Sequence, residues 1–167
     1  MSTEGPAAFT LGLEQEDVVL IVVRAYAAAP GSVAGHDVVK APVGHESEVF
    51  QQIRDEGVKP GITLRPSTDL ETIEDTLNEV DLVLVMSVEP GFSGQAFIPE
   101  MMDRISKVRE WVDKMGKTRP EISVDGDVKL YNAREVISAG ANIVVSGSGV
   151  FGTSDPVYTM KEFAALT

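Results

Sequence analysis

A chain of 167 residues, 43% hydrophobic and 24% charged, has the length and mixture of one globular domain with a sizeable core, which excludes a disordered tail or a collagen-like repeat. Its longest apolar run, VVLIVV at 18–23, falls far short of the roughly 20 residues that cross a bilayer. Fourteen basic against 26 acidic residues give a formal charge of −12, which repels nucleic acid and anionic lipid.

The absence of cysteine removes disulfides, thiolate metal sites and a cysteine nucleophile. The first residues, MSTEGPAAFTLGLEQED, are acidic and lack the basic start and apolar stretch of a secretory signal, so a cytoplasmic home is expected, with neither nucleic acid nor membrane as partner.

Residues 1–43 contain one good strand candidate, 17–24 (DVVLIVVR), then the breaker-rich loop AYAAAPGSVAG and a weaker strand candidate, 36–40 (HDVVK). From residue 46 the pattern becomes a regular alternation of helix, strand and Gly- or Pro-bearing turn, as in a parallel βα sheet. Val49, Phe50 and Ile53 mark one face of a helix over 46–56, with Gly57 as its C-terminal cap. Residues 58–64 (VKPGITL) read as a strand, with Pro60 tolerated near its start. Thr68 and Glu71 offer a capping box for a helix through Leu77. Residues 81–88 (DLVLVMSV) form the clearest buried strand, apolar on both faces.

Further along, Met102, Ile105, Val108, Val112 and Met115 recur at steps of three or four, with Trp111 beside them, and predict an amphipathic helix over 99–114 whose stripe is core. A strand at 121–124, a helix at 131–139 capped by Gly140, a strand at 142–146 and a helix at 156–166 with Pro at its first turn complete the chain.

In parallel α/β folds ligands lie beyond the carboxyl ends of the strands. Three such places carry glycine: Glu89-Pro90-Gly91-Phe92-Ser93-Gly94-Gln95, Asp125-Gly126, and Ser146-Gly147-Ser148-Gly149. Backbone amides free of a Cβ favour negative charge, so the three turns together suggest a phosphate cradle, while any one of them alone reads rather as a plain tight turn. Asp125 is placed to accept a proton or ligate a metal; the plainer alternative is a turn aspartate bonding its own backbone.

The segments LVLVMSVEPGFSGQAFIPEMMDRISKVREW, ISVDGD and GANIVVSGSGVF, together with VFQQIRDEGVKPGITLRPST, resemble ribulose-phosphate 3-epimerase over residues 43–167. The resemblance implies a (β/α)8 barrel that interconverts D-ribulose 5-phosphate and D-xylulose 5-phosphate by proton transfer at C3. It also implies two aspartates and one divalent metal, zinc or iron. By that resemblance Asp125 is the second aspartate, both metal ligand and acid or base, and Met86 packs over the substrate. Gly91, Phe92, Ser93, Gly94, Gly126, Gly147 and Ser148 take the phosphate side.

The chain departs from the family pattern in several places. Ser93 and Asp127 stand where glycine is usual, and a carboxylate at 127 near a phosphate weakens its binding. Residues 1–40 do not spell the family's first-strand serine, second-strand His-x-Asp or third-strand histidine. His36 and Asp37 are adjacent, so they point to opposite faces of a strand, and His45 opens a helix; both histidines read as surface residues.

The expected architecture is a truncated TIM-like (β/α) half-barrel, with an unmatched, partly irregular segment at 1–43 and epimerase-like units at 44–167. An open half-barrel exposes an edge and an inner face, which a homo-oligomer or the N-terminal segment would cover, unless the chain is a poorly folding fragment. The expected function is epimerisation of a pentulose 5-phosphate, most ligands of the expected metal being absent. The alternative is a catalytically silent phosphate-sugar-binding or scaffold remnant.

Overall fold

The computed structural model describes the backbone of residues 18–23 and 36–41 and, with side chains, residues 45–90, 94–116 and 120–166. Its strands are β1 (Val18–Val23), β2 (His36–Ala41), β3 (Lys59–Leu64), β4 (Leu82–Met86), β5 (Glu121–Asp125) and β6 (Ile143–Val145). Helices α1 (Glu46–Asp55), α2 (Met101–Lys114), α3 (Leu130–Ser138), α4 (Ser148–Phe151) and α5 (Pro156–Ala164) alternate with the later strands. One sheet results, in the order β2-β1-β3-β4-β5-β6. Strands β3 to β6 run parallel, and β1 joins the β3 edge antiparallel with β2 outside it. This is a truncated TIM-like half-barrel extended by an antiparallel pair.

Register separates the two faces of the sheet, because residues abreast in parallel strands point the same way. Ile62, Leu64, Val83, Val85, Ile122 and Val124 occupy the outer face and are completely buried. They share one core with Phe50 of α1, Ile105, Val108 and Val112 of α2, and Ala133 and Val136 of α3. Each such aliphatic side chain contributes about 1.5–3 kcal/mol when fully buried, so this layer is what holds the helices to the sheet. The opposite, inner face carries Thr63, Leu84, Met86, Ser123, Asp125, Ile143 and Val145. Ile143 and Val145, on the strand with no outer neighbour among the described residues, remain 38% and 37% exposed.

Most predicted elements form within two residues of their expected bounds, and Gly57 follows α1 with φ +73° as the cap required. The expected stripe on α2 is core: Ile105, Val108 and Val112 are fully buried, and Trp111 is 7% exposed under the Lys107 ammonium, 5.6 Å from the ring centroid. The helix expected after Thr68 is instead two 3-10 turns, Leu70–Ile73 and Asp75–Glu79. Thr68 is not its cap, because its hydroxyl accepts the Arg65 amide at 3.2 Å in the turn that leaves β3, and Asp69 receives the Glu71 amide instead. The single-turn helix α4 was not foreseen, since SGVF is too short to show a helical period.

Candidate functional site

The carboxyl ends of β4, β5 and β6 are level: Met86 stands beside Asp125, and Asp125 beside Val145. Asp125 and Met86 are half-buried on the inner face, side by side at the rim where the strands turn into their loops. Ser87 ties the first two of these loops together. Its amide donates to the Asp125 carbonyl at 2.8 Å and its hydroxyl lies 2.6 Å from the Gly126 carbonyl. The Ser87 carbonyl in turn accepts the Ile98 amide at 2.8 Å, closing the loop that leaves β4. Gly126 is obligatory here: with φ +126°, a Cβ would lie 2.8 Å from both Ser87 Oγ and the Val88 amide nitrogen.

The β6 turn is tied to the same rim. Ser146 donates its hydroxyl to the Val128 carbonyl at 2.5 Å, and Gly149 packs so closely that a Cβ would meet that carbonyl oxygen at 2.7 Å. Gly147 and Ser148 are exposed at the start of α4. Gly94 is exposed at φ +83° with open space around it, while Gly91, Phe92 and Ser93 lie outside the described residues. Of the nine expected site residues, Met86, Asp125 and Gly126 therefore cluster directly, and Gly147 and Ser148 join them through Ser146.

Asp127 takes φ +50°, the left-handed conformation that a glycine would occupy without strain. Its carboxylate is only 11% exposed and meets the Lys129 ammonium at 2.7 Å, with the Tyr131 hydroxyl 3.5 Å from its other oxygen. The hydrogen bond that Lys129 donates to the Asp127 carboxylate holds its ammonium above the usual lysine range. The negative charge expected to oppose phosphate thus comes with its own cation. Asn132 fixes the turn from both sides, accepting the Lys129 amide at 2.8 Å and donating to the Asp127 carbonyl at 3.1 Å.

The ties made by Ser87, Ser146 and Lys129 carry no motif in the sequence, although Ser146 opens the third glycine turn. The available signal was positional: each serine is the first polar residue after an apolar strand, where a short hydroxyl can reach a neighbouring loop carbonyl.

A divalent metal does not fit the donors described. Asp125 is flanked in register by Met86 and Val145, neither of which offers a hard oxygen or nitrogen donor. No group of three His, Cys, Asp or Glu converges among the described residues. His36 and Asp37 pair with Val23 and Val22, which pair with Lys59 and Pro60 at the start of β3, the end of the sheet opposite to Asp125. Six residues of strand rise put the His36 backbone about 20 Å below the rim. His45 is exposed beside Glu48, at 3.4 Å.

The rim and its loops can be compared with known proteins. The model of the ribulose-phosphate 3 epimerase family matches residues 18–151. The chain is 41% identical over 155 residues to the chloroplastic ribulose-5-phosphate-3-epimerase of Arabidopsis thaliana, covering 89% of this chain and 55% of that protein. It is 42% identical over 118 residues to the ribulose-phosphate 3-epimerase of Bacillus subtilis, covering 71% of this chain and 54% of that protein. The chain spans about half the length of the curated relatives it matches. Among solved structures, 3-hexulose-6-phosphate synthase from Salmonella typhimurium superposes with a TM-score of 0.52 at 17% identity, over 72% of this chain and 56% of that one, a likeness of fold alone. With a family match running through β1 to α4 and both glycine turns of the rim inside it, the chain belongs to the ribulose-phosphate 3 epimerase family.

Proposed function

We propose that this chain acts on a pentulose 5-phosphate, interconverting D-ribulose 5-phosphate and D-xylulose 5-phosphate by proton transfer at C3, as an isomerase of the pentose phosphate pathway. The observation that carries the reading is the level register of Met86, Asp125 and Val145, beside loops that Ser87 and Ser146 bond together. Met86 forms an apolar floor for the sugar carbons. The Asp125 carboxylate removes the proton from C3, and the exposed turns at Gly94 and at Gly147 and Ser148, with the buried Gly126 shaping the turn beside Asp125, receive the phosphate; by the family resemblance Gly91, Phe92 and Ser93 belong to the same phosphate side. The same proposal places the protein in the cytoplasm, in keeping with its acidic, cysteine-free composition. A homo-oligomer covers the exposed Ile143 and Val145 of β6.

The second reading is a phosphate-sugar-binding protein without turnover. It is favoured by what the described residues hold: no trio of metal-ligating side chains forms among them, and Asp125 is the one acid on the inner face at the carboxyl ends of the described parallel strands. A single carboxylate exchanges the C3 proton on one face of the enediolate but cannot deliver it to the other. The decisive experiment is deuterium incorporation at C3 of D-ribulose 5-phosphate in D2O, with and without added zinc or iron. Incorporation that disappears in Asp125→Asn supports proton transfer. Binding of the sugar phosphate without any incorporation supports the silent reading.

A further inference from the structure

The inner-face column of β3 leads up to one more charged residue. Thr63 stands abreast of Leu84, and Leu84 abreast of Ser123; one step higher stand Met86 and Asp125. The ladder ends with Leu64 abreast of Val85; Arg65 is the next residue, two beyond Thr63, and continuing the strand's alternation by one step brings it to the same face, level with Met86. On that continuation Asp125 and Arg65 flank Met86, about 10 Å apart across two strand spacings.

Two further facts single out this column. The Arg65 side chain is half-buried and makes no hydrogen bond or ion pair among the described residues, whereas Arg54, Arg104 and Arg109 each bond to a carbonyl. Directly beneath it, the Thr63 hydroxyl is buried, at 6% residue exposure, with no hydrogen-bond partner. A buried hydroxyl left unsatisfied is costly unless a ligand completes it, and a half-buried guanidinium with no protein partner has donors to offer the same ligand. The backbone beside them is fixed, because the Arg65 carbonyl accepts the Thr68 amide at 3.1 Å and Arg104 holds the Thr68 carbonyl.

From this, the geometry points to Arg65 as the binding residue for the carbonyl end of the sugar phosphate, across the Met86 floor from Asp125. The inference rests on the pentulose phosphate reading above. As the C3–H bond breaks, its proton goes to Asp125, its electron pair becomes the C2–C3 double bond, and the carbonyl pair moves onto O2. Arg65 stays protonated throughout and stabilises that oxygen; return of the proton to C3 reverses each change.

The test is calorimetric titration of the full chain with D-ribulose 5-phosphate and, separately, inorganic phosphate, comparing wild type, Arg65→Gln and Arg65→Lys. Arg65→Gln is expected to weaken the sugar phosphate by about tenfold or more, the scale of a charged hydrogen bond, while inorganic phosphate changes by less than about twofold. Arg65→Lys recovers part of the loss by restoring charge without the fork. Unchanged sugar-phosphate affinity in Arg65→Gln overturns the assignment, and so does an equal loss for both ligands, which would make Arg65 a phosphate contact. A wild-type chain that does not bind D-ribulose 5-phosphate overturns the pentulose reading itself, an outcome visible before any variant is made.

Discussion

Replacing Asp127 by glycine should raise phosphate affinity and stabilise the fold together, a combination that few substitutions at a binding rim produce. The residue holds φ +50°, and relief of left-handed backbone in an L-residue is worth about 1 kcal/mol, aspartate being among the more tolerant side chains. Its ion pair with Lys129 opposes this gain weakly, because the lysine is 41% exposed and solvent screens the pair. The larger effect is electrostatic. A carboxylate about 5 Å from a phosphate costs about 1.1–1.7 kcal/mol per phosphate charge at an effective dielectric of about 40–60, so its removal tightens a dianion by more than about tenfold. The Lys129 ammonium, bonded at 2.7 Å to Asp127, becomes available to the ligand at the same time. Titration calorimetry with inorganic phosphate and urea unfolding of Asp127→Gly and Asp127→Asn measure both effects. Asn keeps the side-chain shape and tolerates left-handed backbone, so it should reproduce the affinity gain. If neither variant binds phosphate more tightly than the wild type, the placement of Asp127 beside the anion site is wrong.

Gly126→Ala should destabilise by about 2–4 kcal/mol in urea unfolding, because its φ of +126° and the 2.8 Å approach to Ser87 Oγ leave no room for a methyl group. Gly147→Ala, with ordinary φ and nothing within 4 Å, should unfold within about 0.5 kcal/mol of the wild type. Ile105→Ala, fully buried between α2 and the sheet, should cost about 2–5 kcal/mol in the same assay. The Lys129 ammonium is raised above its ordinary pKa by Asp127, so the pair's contribution is complete below the unfolded lysine pKa and fades as pH rises through the raised value. Stability measured across the alkaline range should therefore fall more steeply in the wild type than in Lys129→Gln.

Periodicity and punctuation made the βα alternation legible from Glu46 onward, because helix faces and buried strands are encoded by neighbours within a few residues. The turn at Arg65-Pro66-Ser67-Thr68 defeated the capping-box reading for the same local reason: one hydroxyl had two possible partners, and the strand exit claimed it. Asp125 and the glycine turns were legible as residue types at strand ends. Their tie through Ser87 and Ser146 was not, since those hydroxyls reach carbonyls 39 and 18 residues away.

The amino-acid sequence by itself determined the half-barrel alternation, the family signature and the acid at the end of β5, all written in short-range pattern. Tertiary structure decided the antiparallel β1–β2 addition, the distance of His36 from the rim, the partnership of Asp127 with Lys129, and the alignment of Met86 with Asp125. Each of these depends on strand register or on a backbone angle, quantities fixed only when segments distant in the chain pack against one another.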